Sequence, residues 1–216
     1  MEYREVIRIR HATRLFTQQQ IRVNELKDII LEAQRAPSWM NTQEREVLLA
    51  TGNVAKMIRN EYMERARKGV IGISDFTVVH RSEWSEQAQK NMDQFEHGIE
   101  EFLGDEVGVF VNAQDSLFNA PAFIFLVLPK DAPKWAILDL GAFEEAIIMG
   151  AANRGIDSIV AYSIIKYPDI IRRHFPITEE NDIVMGIALG YEDQEAKINQ
   201  YRSKRVSLDS FLTAKG

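Results

Sequence analysis

A short loop in the first quarter of the chain carries side chains that could bind a heteroaromatic ring. It spans residues 35–43 and combines a hydroxyl, a large aromatic ring and two amides, at Ser38, Trp39, Asn41 and Gln43. Amides both donate and accept hydrogen bonds, so they can pair with the mixed edges of such a ring. A loop of this kind can equally serve only as a connection. The residues alone leave both interpretations open.

Two clusters of cations, one near each end of the chain, could together bind a phosphate. The first consists of Arg10, His11 and Arg14, and the second lies in the tail at Arg202, Lys204 and Arg205. Guanidinium groups bind phosphate bidentately. Each cluster alone could also be a solvated charge run, placed in the first case at a helix C-terminus. No Gly-x-Gly-x-x-Gly follows a predicted strand, so the sequence does not support a glycine-rich phosphate loop.

Composition excludes several classes of protein. The chain has 216 residues, 45% of them apolar, which is enough for one domain with a substantial core. Its net charge of −6 argues against an extended nucleic-acid surface. No apolar run approaches the roughly 20 residues of a membrane helix. Cysteine is absent and the four histidines show no metal-ligand spacing, so we expect no metal site. The N-terminus lacks the form of a signal peptide, and we expect a cytoplasmic protein.

Hydrophobic periodicity predicts helices and strands that alternate along the chain. The predicted helices cover residues 3–10, 26–33, 54–68, 84–102 and 135–153, with a short one from 167, and the predicted strands cover residues 47–50, 122–128, 158–162 and 182–189. Asn24 and Asn53 are predicted N-caps, and Pro37 is predicted to end the second helix. The apolar and aromatic run 122–128 favours a central strand covered on both faces. Segment 70–118 is the hardest to interpret.

Several motifs, taken together and in this order, resemble those of the FMN-dependent nitroreductase family. Ile9-Arg-His-Ala-Thr-Arg-Leu-Phe16 resembles the opening Arg-Arg/His-Ser-x-Arg/Lys-x-Phe motif of the family. Ala36-Pro-Ser-Trp-Met-Asn-Thr-Gln43 resembles its Ala-Pro-Ser-x-x-Asn-x-Gln loop. Arg202-Ser-Lys-Arg-Val-Ser-Leu-Asp209 resembles the closing Arg/Lys-x-x-Arg-x-Pro-Leu-Asp/Glu signature, with Ser207 in place of proline. The intervening segments 119–124, 139–155, 155–158 and 186–191 also follow in the expected order.

The resemblance implies an α+β fold, with a mixed and mainly antiparallel central sheet flanked by helices, in an intertwined homodimer. It covers nearly the whole chain, so we expect a single nitroreductase-like domain over residues 1–216. Segment 70–118 is expected to be its variable part and to cover the active site. Two FMN sites would lie at the subunit interface. No catalytic side chain is identified beyond the flavin, and no metal is expected.

The resemblance also implies which residues contact FMN. Arg10 and Arg205 match the phosphate ligands, and the choice between Arg202 and Lys204 as a third ligand stays open. Arg14 matches the cation beside the pyrimidine edge of the flavin, where it would stabilise negative charge on the reduced ring. The other implied contacts are His11 and Ala12 beside the phosphate, Pro37, Ser38, Trp39 and Asn41 in a loop that reaches the flavin from the other subunit, and the backbone of Ala161, Tyr162 and Ser163 near flavin N5.

The implied activity is the reduction of nitroaromatics, quinones or similar small aromatic acceptors with NADH or NADPH, by ping-pong hydride transfer through FMN. The alternative enzyme is a flavin reductase, or an ene- or dehalogenating reductase on the same scaffold. The alternative outside catalysis is a protein that binds and sequesters FMN. Three departures from the family pattern affect the expected site: Ala12 replaces a serine, Glu44 replaces a proline, and Tyr162-Ser163 replaces a glycine-containing segment and narrows the space above the flavin.

Overall fold

Eight helices and four strands make up the fold. The computed structural model describes all 216 residues. The helices are α1 (Tyr3–Ile9), α2 (Val23–Ala33), α3 (Gly52–Arg67), α4 (Glu86–Leu103), α5 (Gly108–Asp115), α6 (Lys134–Asn153), α7 (Pro168–His174) and α8 (Lys197–Gln200). The strands are β1 (Glu46–Thr51), β2 (Ala122–Pro129), β3 (Asp157–Val160) and β4 (Asn181–Gly190). Every predicted element is present, and α5 and α8 are additional. No helix has both the length and the apolar character needed to cross a membrane.

The four strands form one antiparallel sheet in the order β1-β2-β4-β3. Ile124 of β2 pairs with Ile187 of β4. The edge strands of the sheet are β1 and β3. A parallel bridge between Ala12 and Ser158 joins the N-terminal segment to β3. All residues from Ala122 to Leu128 are buried, which confirms the predicted central strand. The α+β arrangement agrees with the predicted fold class.

Helices cover both faces of the sheet because the side chains of β2 alternate between them. Phe123, Phe125 and Val127 belong to one core cluster, which also includes Tyr62 of α3 and Ile170 of α7. The opposite cluster contains the intervening residues of β2 together with apolar side chains of α2 and α6: Ile124, Leu126, Leu128, Leu26, Ile29, Phe143 and Ile147. The apolar side chains that recur with period 2 in the strands and period 3.6 in the helices therefore pack together in two cores, one on each face of the sheet.

Segment 70–118 contains α4 and α5, and α4 packs on the end of the chain. Ile99 and Leu103 of α4 form a small core with Ile198 and Tyr201. The predicted buried face of this helix is only partly correct. Ile99 is buried, but Phe102 is exposed and the buried position next to it is Leu103. The segment thus supports the tail that carries the second cation cluster.

Several predicted boundaries are wrong. Helix α2 begins at Val23 with Arg22 as its N-cap, so Asn24 lies inside the first turn. Helix α3 begins at Gly52 with Thr51 as its N-cap, so Asn53 is also helical. Helix α2 ends at Ala33, as predicted and ahead of Pro37, whereas β3 ends at Val160 rather than at residue 162. A capping preference contributes only about 1 kcal/mol, which is small compared with the packing energy of the adjoining turns.

Candidate functional site

A small cavity lies where the segment after α1 meets the tail after α8. Its volume is about 150 Å³. Its lining combines residues of the two predicted cation clusters with neighbours in the same segments: Arg10, His11, Ala12, Arg14, Tyr201, Arg202, Ser203 and Arg205. The fold therefore brings together two clusters from opposite ends of the chain, as the phosphate hypothesis requires.

One buried amide holds the two walls of this cavity together. The side-chain oxygen of Asn199 accepts hydrogen bonds from the backbone N–H groups of Arg14 at 2.7 Å and Leu15 at 3.0 Å. Its amide nitrogen donates to the carbonyl oxygens of Leu15 at 2.7 Å and Asp193 at 3.0 Å. Asn199 is fully buried. All four hydrogen bonds go to the backbone, so this side chain positions the site.

The cavity is lined by four guanidinium groups that have no acidic partner. None of the four forms an ion pair with a carboxylate: Arg10, Arg14, Arg202 and Arg205. The guanidinium hydrogen bonds of Arg14, Arg202 and Arg205 go to carbonyl oxygens nearby in sequence and to the Ser203 hydroxyl. Uncompensated positive charge around a small cavity favours an anionic ligand, and guanidinium geometry suits a phosphate.

Arg14 is the buried member of this set. Only 8% of its surface is exposed. Its guanidinium carbon lies 5.8 Å from the ring centre of Phe95 and 5.9 Å from that of Tyr201. Burial lowers the pKa of Arg14 from its ordinary value, yet a guanidinium stays charged in proteins. The two rings offset part of the cost of burying this cation, and a bound anion or polarised ring would offset more. The donor set therefore fits the phosphate and ring edge of FMN.

His11 of the first cluster and the neighbouring Ala12 are held by contacts within the protein. The His11 ring has Nδ1 at 2.9 Å from the Ile9 carbonyl oxygen and Nε2 at 3.4 Å from a Glu192 carboxylate oxygen. Ala12 forms its bridge with Ser158. These contacts fix the path of the segment along the edge of β3, so Arg10 and Arg14 both line the cavity.

Lys204 lies outside the cavity. It is exposed and lines two neighbouring depressions together with Gln94 of α4. Arg202 lines the cavity itself, next to Arg205 in the tail. Of the two residues between which the sequence left a choice, the geometry therefore favours Arg202 as a neighbour of a phosphate.

The loop with Pro37, Ser38, Trp39 and Asn41 does not reach this cavity within one chain. It lies against α6, where the Trp39 ring stacks on Trp135 with centroids 4.9 Å apart. More than half of the Trp39 surface, 54%, is exposed. A loop that contacts a ligand from another subunit would be placed in this way.

The turn after β3 contains the third predicted group of residues, Ala161, Tyr162 and Ser163, which also lies outside the cavity lining. The Ala161 N–H donates to the Gly186 carbonyl oxygen at 3.2 Å, so this donor is used within the fold. Tyr162 is 43% exposed. Ser163 is buried, and its hydroxyl oxygen has no hydrogen-bond partner. An unpartnered buried hydroxyl is a group that a ligand could satisfy.

Sequence reasoning missed three residues that shape the site: Asn199, Tyr201 and Phe95. Asn199 had no signal, because a single amide in a polar tail is indistinguishable from a surface residue. The apolar periodicity of α4 placed Phe95 on a buried face but gave no hint of its contact with Arg14. Gly98 of the same helix offered a weak signal, since a β-carbon there would lie 2.6 Å from the Tyr201 hydroxyl.

Comparisons with known proteins identify the family. The model of the nitroreductase family matches residues 7–191. A nitrobenzene nitroreductase of Ectopseudomonas oleovorans is 24% identical, over 97% of this chain and 95% of that protein. A 4-nitrobenzoate reductase of Nocardioides sp. is 23% identical, over 96% of this chain and 87% of that protein.

Solved structures show the same fold. The FMN- and NADPH-dependent nitroreductase NfnB from Sphigopyxis sp. strain HMH has a TM-score of 0.89 at 20% identity, over 100% of both chains. The FMN-dependent nitroreductase NfnB from Mycobacterium smegmatis in complex with NADPH also has a TM-score of 0.89 at 20% identity, over 99% of this chain and 97% of that one. With a fold and a family match that both extend over most of its length, this chain belongs to the nitroreductase family.

Proposed function

We propose that this protein is an FMN-dependent oxidoreductase that uses NADH or NADPH to reduce nitroaromatic compounds. The observation that carries the proposal is the cavity lined by four guanidinium groups without carboxylate partners, in a chain of this family. Two relatives that match over nearly the full chain are reductases of nitrobenzene and of 4-nitrobenzoate. We further propose a cytoplasmic location, as predicted from the sequence.

The proposed roles of the residues follow from their positions. Arg10, Arg202 and Arg205 hold the phosphate of FMN by charge-assisted hydrogen bonds. Arg14, buried between two rings, stabilises negative charge that develops on the pyrimidine edge of the flavin. Bound FMN would supply the hydride transfer between NAD(P)H and the acceptor. The remaining proposed contacts come from the loop of residues 35–43, called the Trp39 loop, and from the turn after β3. They are Pro37, Ser38, Trp39, Asn41, Ala161, Tyr162 and Ser163.

We also propose that the protein is a homodimer in which α6 and the Trp39 loop lie at the interface. In a single chain Met40 is 85% exposed and Leu138 of α6 is 63% exposed. Apolar side chains grouped in this way mark an interaction surface. Light scattering at micromolar concentration is expected to give twice the 24.8 kDa of one chain. Leu138→Asp should shift the population to monomer, whereas Met63→Asp on α3, in the opposite helix layer, should not. A stable wild-type monomer would contradict the proposal.

The function is tested with the purified protein under anaerobic conditions. We expect protein loaded with FMN to be yellow, NADH or NADPH to bleach it, and nitrobenzene or 4-nitrobenzoate to restore the colour. Double-reciprocal plots of rate against NADH or NADPH concentration, measured at several fixed acceptor concentrations, should be parallel lines. This is expected because donor and acceptor would occupy the same site in turn. A free-FMN sample at equal concentration is the control.

Each other outcome has a defined meaning. Reduced bound flavin that only added free flavin reoxidises would indicate a flavin reductase instead. Bleached protein that no acceptor reoxidises would indicate an FMN-binding protein without turnover. Protein that takes up no FMN would refute the whole proposal.

A further inference from the structure

The Trp39 loop is fixed to α6 by two contacts one helical turn apart. The Trp39 backbone N–H donates to a carboxylate oxygen of Asp139 at 2.8 Å. The Trp39 indole stacks on that of Trp135, with centroids 4.9 Å apart and an interplanar angle of 24°. Trp135 and Asp139 are at positions i and i+4 of α6, so they lie on one face of the helix. Helix α6 therefore holds both the backbone and the side chain of Trp39.

A third residue of that face contacts Arg45, two residues beyond the loop. Phe143 follows Asp139 by four positions, and the Arg45 guanidinium carbon lies 4.2 Å from the centre of its ring. Burial lowers the pKa of Arg45, and the negative charge of Asp139 opposes this effect. Asp139 therefore accepts the hydrogen bond of Trp39 within the loop, and its negative charge also acts on Arg45, two residues beyond the loop.

The loop needs such anchors because its backbone is strained. Met40, Asn41 and Gln43 have φ angles of 46°, 58° and 50°, in the left-handed region that side chains other than glycine disfavour. Within the loop, the Gln43 N–H donates to the Ser38 hydroxyl at 3.2 Å and the Gln43 amide donates to Asn41 at 3.0 Å. These bonds close the loop on itself, and the contacts with α6 attach it to the rest of the protein.

We propose that Asp139 and Trp135 are positioning residues, which act through Trp39 to hold the loop in the conformation that contacts FMN. The inference rests on the proposed function, because it assigns the strained loop to the cofactor. A strained loop without its anchors would relax into several conformations, and binding FMN would then carry the entropic cost of ordering it. Loss of either anchor should therefore weaken FMN binding without removing any group that binds the phosphate.

The experiment measures FMN affinity by fluorescence titration of apoprotein variants. We expect Asp139→Ala to weaken binding about tenfold and Asp139→Asn only about threefold, because asparagine keeps an acceptor for the Trp39 N–H but loses the charge. Trp135→Leu is expected to weaken binding about threefold to tenfold. It should also remove the exciton signal of the stacked indoles in circular dichroism. Glu145→Gln, an exposed carboxylate change on the same helix, is the matched control and should change neither quantity.

A double-mutant cycle tests whether Trp135 acts through the side chain of Trp39. In a Trp39→Leu background, Trp135→Leu should produce no further loss of affinity, because the residue through which it acts is gone. Additive losses, or unchanged affinity in folded Asp139 and Trp135 variants, would overturn the inference while leaving the proposed function intact. If Asp139→Ala does not fold, Asp139→Asn and the Trp135 variant decide the question. Wild-type protein that does not bind FMN would instead refute the proposed function.

Discussion

Replacing Asn199 by alanine is expected to lower the free energy of unfolding by about 2–5 kcal/mol. The change removes four hydrogen bonds from a fully buried side chain. The two carbonyl groups that lose a donor each keep another, since Leu15 O also accepts from Asp193 N–H and Asp193 O from Ala196 N–H. The loss therefore falls on the N–H groups of Arg14 and Leu15, which are left without a partner.

Denaturant unfolding of the apoprotein measures this loss. Asn60→Ala is the matched control, because Asn60 is exposed on α3 and forms no side-chain hydrogen bond; it should change the free energy of unfolding by less than about 0.5 kcal/mol. In variant protein that remains folded, FMN affinity should also fall, since the unpaired N–H groups flank Arg14. An Asn199→Ala variant as stable as the control would show that solvent or a local shift satisfies both groups.

The sequence predicted the elements of this fold well because burial imposes a period on the apolar residues. Every residue from Ala122 to Leu128 is apolar, and the strand is covered on both faces. Helix α6 buries Leu140, Phe143 and Ile147, as the spacing required. The predicted caps at Asn24 and Asn53 failed because a capping preference is small compared with the packing energy of the adjoining turns.

The candidate site was partly predictable for a different reason. Clusters of arginines in an acidic chain are visible in the sequence, and Arg10, Arg14 and Arg205 do line one cavity. The contacts that position them were not predictable, because they involve the backbone. Asn199 binds main-chain groups that any residue could supply, and the left-handed backbone at Met40 has no signal in a sequence without glycine there.

Replacing Arg205 by alanine is expected to weaken FMN binding by about ten- to hundredfold, since a hydrogen bond to a charged group contributes roughly 1.5–3 kcal/mol. Arg205 is exposed and makes side-chain hydrogen bonds only within its own tail, so the fold should keep its stability. Arg205→Lys should recover part of the loss, because lysine keeps the charge but not the bidentate geometry. Arg10→Ala should act in the same direction, since Arg10 lines the same cavity.

A comparison of FMN with riboflavin, which lacks the phosphate, isolates the role of Arg205. Wild-type protein should bind FMN much more tightly than riboflavin. Arg205→Ala should reduce the ratio of FMN affinity to riboflavin affinity, because it lowers the affinity for FMN and affects that for riboflavin little. Lys204→Ala is the matched control: it removes the adjacent cation, which lies outside the cavity lining, and should preserve the ratio. Raising the salt concentration should narrow the difference between wild type and Arg205→Ala, because ions screen exposed charges. Equal losses for Lys204→Ala and Arg205→Ala would show that the tail attracts FMN only through its overall charge. An equal loss of riboflavin and FMN would remove Arg205 from the phosphate site.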